Sequence, residues 1–153
     1  MDDLQELRLV LEASSDEGNP DAEELRDLMS RVERIGVIGL SRFLEKPARR
    51  VPSYLAAKGY EIVPINPEAD RILGQDVYDR LSDVPGDLDM VMVFRPSAEA
   101  GAYVHEIMER PERPVVWLQE GITAPAEIDE ARAAGYTAVQ DLCAFKVHRA
   151  LYG

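Results

Sequence analysis

Apolar residues fall into two alternating kinds of run along the chain. Short, almost continuous runs recur at 35–40, 61–65, 90–94, 115–118 and 136–139, and each stops at a polar or turn residue. Between them, apolar positions return every three or four residues: Val51, Tyr54 and Leu55; Ala100, Val104, Ile107 and Met108; Phe145, Val147 and Leu151. The first kind fits strands buried on both faces, the second amphipathic helices. The pattern predicts five strands at those positions and helices beginning near Pro47, over 98–110 with Ser97 as cap, near 125–134, and near 143–151. Pro52 should lie in the first turn of its helix, where a missing N–H costs nothing. Residues 68–86 read as a loop (Ile72, Leu73, Gly74) and a short amphipathic turn (Val77, Tyr78, Leu81). Upstream, Leu4, Leu7, Val10 and Leu11 have helical spacing, and the segment 14–20, SSDEGNP, breaks it. A second helix near 20–32 follows, with Asn19 as N-cap and Pro20 at the first helical position.

Strand and helix alternating five times imply an α/β fold: a Rossmann-like, doubly wound parallel five-stranded sheet, its strands in the order 3-2-1-4-5. The expected division is a helical N-terminal extension, 1–32, on a main domain, 33–153. Ligands of such sheets bind beyond the carboxyl ends of the strands. Ser41, Asn66, Arg95, Gln119 and Asp141 stand at those ends and should converge on one rim.

Charge sharpens the picture. The net charge is −12, but residues 1–33 hold 11 acids and 3 bases, whereas the remaining body is close to neutral. Such a balance speaks against nucleic acid, which demands a basic footprint. One segment runs the other way: residues 42–50 carry Arg42, Lys46, Arg49 and Arg50 against a single acid, Glu45. They follow the first strand and lead into a helix, where free backbone N–H groups and the helix dipole favour an anion. The bland alternative is a solvated helix face or a partner for the acidic arm. No run of 18 apolar residues suggests a membrane span, and the opening MDDLQELR does not resemble a secretory signal. A single cysteine, Cys143, rules out an internal disulfide and fits a reducing, cytoplasmic compartment. Two histidines 43 residues apart and one cysteine give no credible metal set.

The ligand is narrowed by what the first turn lacks. G-x-G-x-x-G would need three glycines there and an acid at the end of the second strand. The chain has Gly39 alone in the turn and Asn66-Pro67 at the strand end, which disfavours NAD and favours a more heavily phosphorylated nucleotide. No P-loop occurs, nor a G-x-S-x-G elbow or a Ser/His/Asp trio.

VIGLS (37–41), KPARRVPSYL (46–55), IVPINP (62–67), ILG (72–74), VMVFR (91–95), WLQEG (117–121) and DLCAFKVHR (141–149) together resemble the small CoA-binding-domain proteins. That family is related to the CoA-binding domain of the succinyl-CoA synthetase alpha subunit. The resemblance spans about 33–150 and implies a bound coenzyme A or acyl-CoA. It implies Gly39, Ser41 and Arg42 at the pyrophosphate, and Arg49 or Arg50 on phosphate charge. It further implies Asn66 and Pro67 beside the adenosine, with Phe94, Arg95 and Pro96 along its ring or ribose. Gln119 and Gly121 would follow the pantetheine. Phe43-Leu44 and Ala48 depart from the proline and serine common there. The synthetase reaction needs a phosphorylated histidine on a second domain, so the expectation is a non-catalytic binder.

Each candidate has an ordinary reading as well. Arg95 could pair with Asp89 or a helix acid, and Ser41 could simply cap turn amides. Cys143, opening the last helix, could be a small buried hydrophobe or could meet the ligand's thiol end. The latter would make the chain an acyl-transfer or thiol-exchange enzyme. His105 is expected on the surface, His148 in packing, and Trp117 in the core. The acidic helices could serve a homodimer or another protein partner.

Overall fold

The computed structural model describes residues 2–153. Along the chain run α1 (Asp3–Glu12), α2 (Ala22–Arg31), β1 (Arg34–Ile38), α3 (Pro47–Ala57) and β2 (Glu61–Ile65). A hairpin of β3 (Arg71–Ile72) and β4 (Gln75–Asp76) follows, then a 3-10 turn at Leu81–Asp83. The chain closes with β5 (Met90–Val93), α4 (Ser97–Met108), β6 (Val115–Leu118), α5 (Pro125–Ala133), β7 (Ala138–Val139) and α6 (Ala144–Tyr152). Four parallel pairings join five strands into a Rossmann-like sheet whose edges are β2 and β7.

Alternation along each strand feeds two cores. Ile35, Val37, Met90, Met92 and Trp117 face the layer made by α1, α2, α3 and α6; Ile38, Val63, Val91, Val93 and Leu118 face α4 and α5. Both faces are covered, as the unbroken apolar runs required. Leu7, Leu25 and Leu28 are fully buried in the first of these cores, so the amphipathic stripes of α1 and α2 close the sheet over α6. Trp117 is buried among them and donates from Nε1 to the Leu142 carbonyl at 2.9 Å. Gly36 belongs to the opposite face: a Cβ there would stand 2.9 Å from Leu88 Cδ1, whose side chain uses that space.

The strand order differs from the expected 3-2-1-4-5. Counting the five sheet strands along the chain, it is 2-1-3-4-5, because β5 pairs with β1 on the side away from β2. Two physical reasons account for this. Met90–Val93 is buried on both faces and suits an interior place. The outer edge of β2 is also already taken: Tyr78 donates to the Pro64 carbonyl and accepts from Asn66 N–H, at 3.0 and 2.9 Å. The segment read as loop and amphipathic turn thus becomes a hairpin, turned by Leu73 and Gly74 at φ 56° and 72°, and an edge seal. The reversal in strand order now falls between β1 and β5, which moves the binding crevice next to Phe94 and Arg95.

The N-terminal segment also departs from expectation. Asp21, not Asn19, caps α2, accepting from Glu24 N–H at 2.9 Å. Asn19 instead grips the chain just after β7, accepting from Gln140 N–H and donating to Gln140 O, both at 3.0 Å. On the same edge Arg132 donates to the Ala138 carbonyl at 2.8 Å. Pro96, not Ser97, precedes the first turn of α4; the Ser97 hydroxyl accepts from Thr123 N–H at 3.0 Å.

Candidate functional site

At the end of β1 the chain turns at Gly39, with φ +82°, a left-handed conformation that favours glycine. A Cβ here would come 3.0 Å from Arg95 Cδ and 3.3 Å from the Phe94 carbonyl, so the backbones leaving β1 and β5 meet without a side chain between them. Asn66, at the end of β2, donates to the Leu40 carbonyl at 3.0 Å and accepts from Glu68 N–H at 2.9 Å. It holds the first turn against the second strand.

Residues 41–46 then loop into α3. Ser41 Oγ accepts from Phe43 N–H at 3.0 Å, and Ser41 N–H donates to the Ala48 carbonyl at 3.0 Å. That carbonyl is free because of Pro52, which lies at the sixth helical position and not in the first turn. Having no N–H, Pro52 leaves the carbonyl four residues back without its helical partner, and Ser41 takes it. The proline thereby fastens the loop to the helix. Lys46 is the N-cap and makes no side-chain cap bond, and no acid stands in the first turn. Among the described residues no protein acceptor engages the backbone N–H groups of Arg42, Leu44, Glu45 and Ala48.

The charges here are equally unengaged. None of Arg42, Lys46, Arg49 and Arg50 pairs with a carboxylate among the described residues, in a protein carrying 29 acids. Arg49 braces the loop, donating to the Arg42 carbonyl and to Ser53 Oγ, each at 3.3 Å. Arg42 and Lys46 flank the exposed Phe43 ring at 5.2 and 5.7 Å from its centroid. Arg50 is exposed.

Two clefts flank Gly39. One, of about 640 Å³, is lined by Gly39, Asn66, Pro67 and Arg95. Glu68, Asp79, Glu99 and Glu106 also face it, so it suits hydrogen-bond donors such as sugar hydroxyls and amines better than phosphate. Arg95 is tied to Glu99 by bonds of 3.2 and 2.9 Å, and that carboxylate raises the guanidinium pKa. Burial, with Glu109 nearby, raises the Glu106 carboxyl pKa. The other cleft, of about 420 Å³, is lined by Arg50, Val51, Phe94 and Gln119 with Cys143 and Lys146. Gln119 is only 4% exposed, and its Oε1 accepts from Ala144 N–H at 3.2 Å.

The structure therefore gathers Gly39, Asn66, Pro67 and Arg95 on one side, and Arg50, Phe94 and Gln119 on the other. Ser41, Arg42 and Arg49 form the loop alongside. Pro96 is an exposed residue opening α4. Gly121, at φ +84°, donates to Asp141 Oδ1 at 2.7 Å, and Asp141 Oδ2 accepts from Ser15 N–H at 2.8 Å. Burial works against the charged form of Asp141, but these bonds outweigh it and hold its carboxyl below the usual carboxylate range. Asp141 thus serves the fold and not the rim. Lys146, for which no sequence motif predicts a role, reaches the second cleft one turn along α6 from Cys143 and is bonded to Glu120 at 2.7 Å. Neither histidine lines either cleft: His105 Nε2 lies 2.8 Å from Glu130 on the surface, and His148 Nδ1 lies 2.8 Å from the Tyr54 hydroxyl.

A parallel sheet with a glycine turn, free amides and unpaired bases at its strand-order reversal defines a Rossmann-like domain. Residues 33–149 match the CoA binding domain family, and the chain belongs to it. It is 32% identical over 130 residues to the uncharacterized protein YneT of Bacillus subtilis, covering 85% of this chain and 96% of that one. It is 29% identical over 106 residues to acetate–CoA ligase (ADP-forming) II of Archaeoglobus fulgidus, 68% of this chain but 16% of the ligase. The solved structure of protein ID.343 from Thermus thermophilus superposes with a TM-score of 0.81 at 32% identity, covering 87% of this chain and all of that one. No described helix is long and apolar enough to cross a membrane.

Proposed function

We propose that this protein binds coenzyme A or an acyl-CoA and holds it without transforming it. The observation that carries this reading is the loop 41–46 with the start of α3: free N–H groups, no capping side chain and four bases without carboxylate partners. Free N–H groups at the start of a helix are ready donors to an anion, and a pyrophosphate would supply acceptors to several at once. Gly39 lets the first turn pack against Phe94 and Arg95, and Asn66, Pro67 and Arg95 offer a cleft for the adenosine. The acids of that cleft suit ribose hydroxyls and the adenine amino group. Phe94, Gln119 and the walls of the second cleft suit the pantetheine arm. The family membership and the likeness to part of an acetate–CoA ligase support the same ligand.

Calorimetric titration with coenzyme A, dephospho-coenzyme A and NAD tests the reading. Coenzyme A should bind tightest and lose affinity with added salt, since exposed phosphate contacts are screened. NAD binding as tightly as coenzyme A would overturn it.

A further inference from the structure

We propose that loop 41–46 is a docking surface for a second copy of this chain, whose helix α1 lies across it and covers the amides and bases offered there to a ligand. Four large apolar side chains stand exposed among the described residues: Leu9, Phe43, Leu44 and Tyr152. Scattered singly, such residues need no explanation. Three of these four, however, fall in two patches of opposite charge.

Phe43 and Leu44, 49% and 70% exposed, are adjacent, and exposed Arg42 and Lys46 flank them. Only Glu45 opposes that charge within the loop. On α1, Leu9 is 52% exposed. Glu6 and Glu12, three residues before and after it, share its helix face and are exposed as well. Asp2 and Asp3 add to the acidity of this helix, against one base, Arg8. An apolar side chain set between acids thus matches an apolar pair set between bases. None of Glu6, Glu12, Arg42 and Lys46 has a partner of opposite charge among the described residues of its own chain.

The fold presents both patches to a neighbour together. Helices α1 and α3 both pack on α6, so α1 and the loop leading into α3 belong to one helical layer. A two-fold axis between two such layers sets each copy's α1 against the other's loop, a self-complementary contact that closes as a pair. Both surfaces are preformed, which lowers the ordering cost of association. A capping box of Asp2 and Gln5 opens α1, while Ser41 and Arg49 brace the loop. A loop covered by α1 has no room for a pyrophosphate, so the second copy and the ligand compete; this last clause rests on the coenzyme reading above.

Sedimentation of the full chain without ligand tests the association, and a reversible dimer is expected. A chain carrying Glu6→Lys and Glu12→Lys, or one carrying Arg42→Glu and Lys46→Glu, sets like charges against each other. Each pair of changes should raise the dimer dissociation constant at least about tenfold. Mixing the two variants should restore dimers, since every α1 then meets a loop of opposite charge. A mixture that stays monomeric overturns the proposal, as do dimers that both variants retain or a concentrated wild-type chain that remains a monomer. A monomer that instead sediments with vesicles of anionic phospholipid assigns the loop to a membrane surface and overturns it too. Carbodiimide cross-linking needs no variant: Glu6 or Glu12 should join Lys46 between an isotope-labelled chain and an unlabelled one, and cross-links confined to one chain overturn the contact. Excess coenzyme A should dissociate the wild-type dimer. Coenzyme A that binds by calorimetry and leaves the dimer intact overturns the placement of α1 on the loop. Failure of coenzyme A to bind the Glu6→Lys, Glu12→Lys chain, whose loop is intact and uncovered, would instead remove the ligand reading and leave the association standing.

Discussion

Two six-residue loops, 14–19 and 41–46, show opposite habits. In the first, the polar groups turn inward to one another and to the β7 side of the molecule. Ser14 and Asn19 bond Gln140, Ser15 N–H reaches Asp141, and Asp16 meets Arg132 at 3.0 Å and Gln140 Nε2 at 2.9 Å. In the second, the amides of Arg42, Leu44 and Glu45 have no protein acceptor, Arg42 and Lys46 have no carboxylate partner among the described residues, and Phe43 and Leu44 stand exposed. The first loop is acidic and the second basic, yet they do not neutralise each other. The contrast teaches that the polar groups of the first loop fasten the N-terminal helices to the sheet, whereas those of the second face solvent, as the proposed ligand requires.

The comparison breaks most visibly at Gly39. Gly39→Val should strain the turn by about 1–2 kcal/mol, lowering the urea midpoint. Its side chain would press on Arg95 and the Phe94 carbonyl, and coenzyme affinity should fall at least about tenfold, ~1.4 kcal/mol. Arg50→Ala should leave the urea midpoint unchanged and cost about 1–3 kcal/mol of coenzyme affinity at low salt, a loss that shrinks at high salt. Unchanged affinity in calorimetry would count against Arg50 as a phosphate contact.

Asn19→Ala should do the reverse: about 1–2 kcal/mol off the stability measured by denaturant, with coenzyme affinity intact. A matching loss of affinity would show that the two loops are coupled after all. Pro52→Ala is a subtler probe. It restores an N–H that competes with Ser41 for the Ala48 carbonyl, so affinity should drop a few-fold while the helix itself is no weaker.

The smallest effect is on pH. Asp16 and Asp141 have carboxyl pKa values held below the usual range: burial opposes this, while bonds from Gln140, Gly18 and Arg132, and from Ser15 and Gly121, outweigh it. Their stabilisation is complete above the unfolded pKa, near 4, and is lost as pH falls through the folded values. His148 contributes in a second window. Burial, aided by Lys58, lowers its pKa, so the unfolded chain takes up the proton first and stability declines as pH drops below about 6.5. Urea midpoints at neutral, mildly acidic and strongly acidic pH should fall in these two steps, the acid step being smaller in Asp141→Asn.

Much of this was readable in the sequence, for reasons that also mark the limit. Runs such as Met90–Val93 and Val115–Leu118 are apolar because both faces are covered, so the strands announce themselves. The order of strands is a different matter. It depends on Tyr78 bonding Pro64 and Asn66, a pairing that leaves no periodic trace, and on two-residue strands too short to show alternation. Gly39, Asn66 and Arg95 could be placed together because all end strands. The second cleft draws Arg50, Gln119, Cys143 and Lys146 from three separate stretches, and only their three-dimensional meeting singles out Lys146. Asp141 ends its strand as the pattern predicts but lines neither cleft, because its carboxylate is bonded by Gly121 and Ser15.

The seals on β2 and β7 have a consequence for the protein's life at high concentration. Tyr78 occupies the Pro64 carbonyl and Asn66 N–H on one border of the sheet, while Asn19 and Arg132 occupy Gln140 and Ala138 backbone groups on the other. Each border is thereby interrupted as a rail on which a neighbouring chain could lay a strand, the usual entry to cross-β fibrils and swapped assemblies.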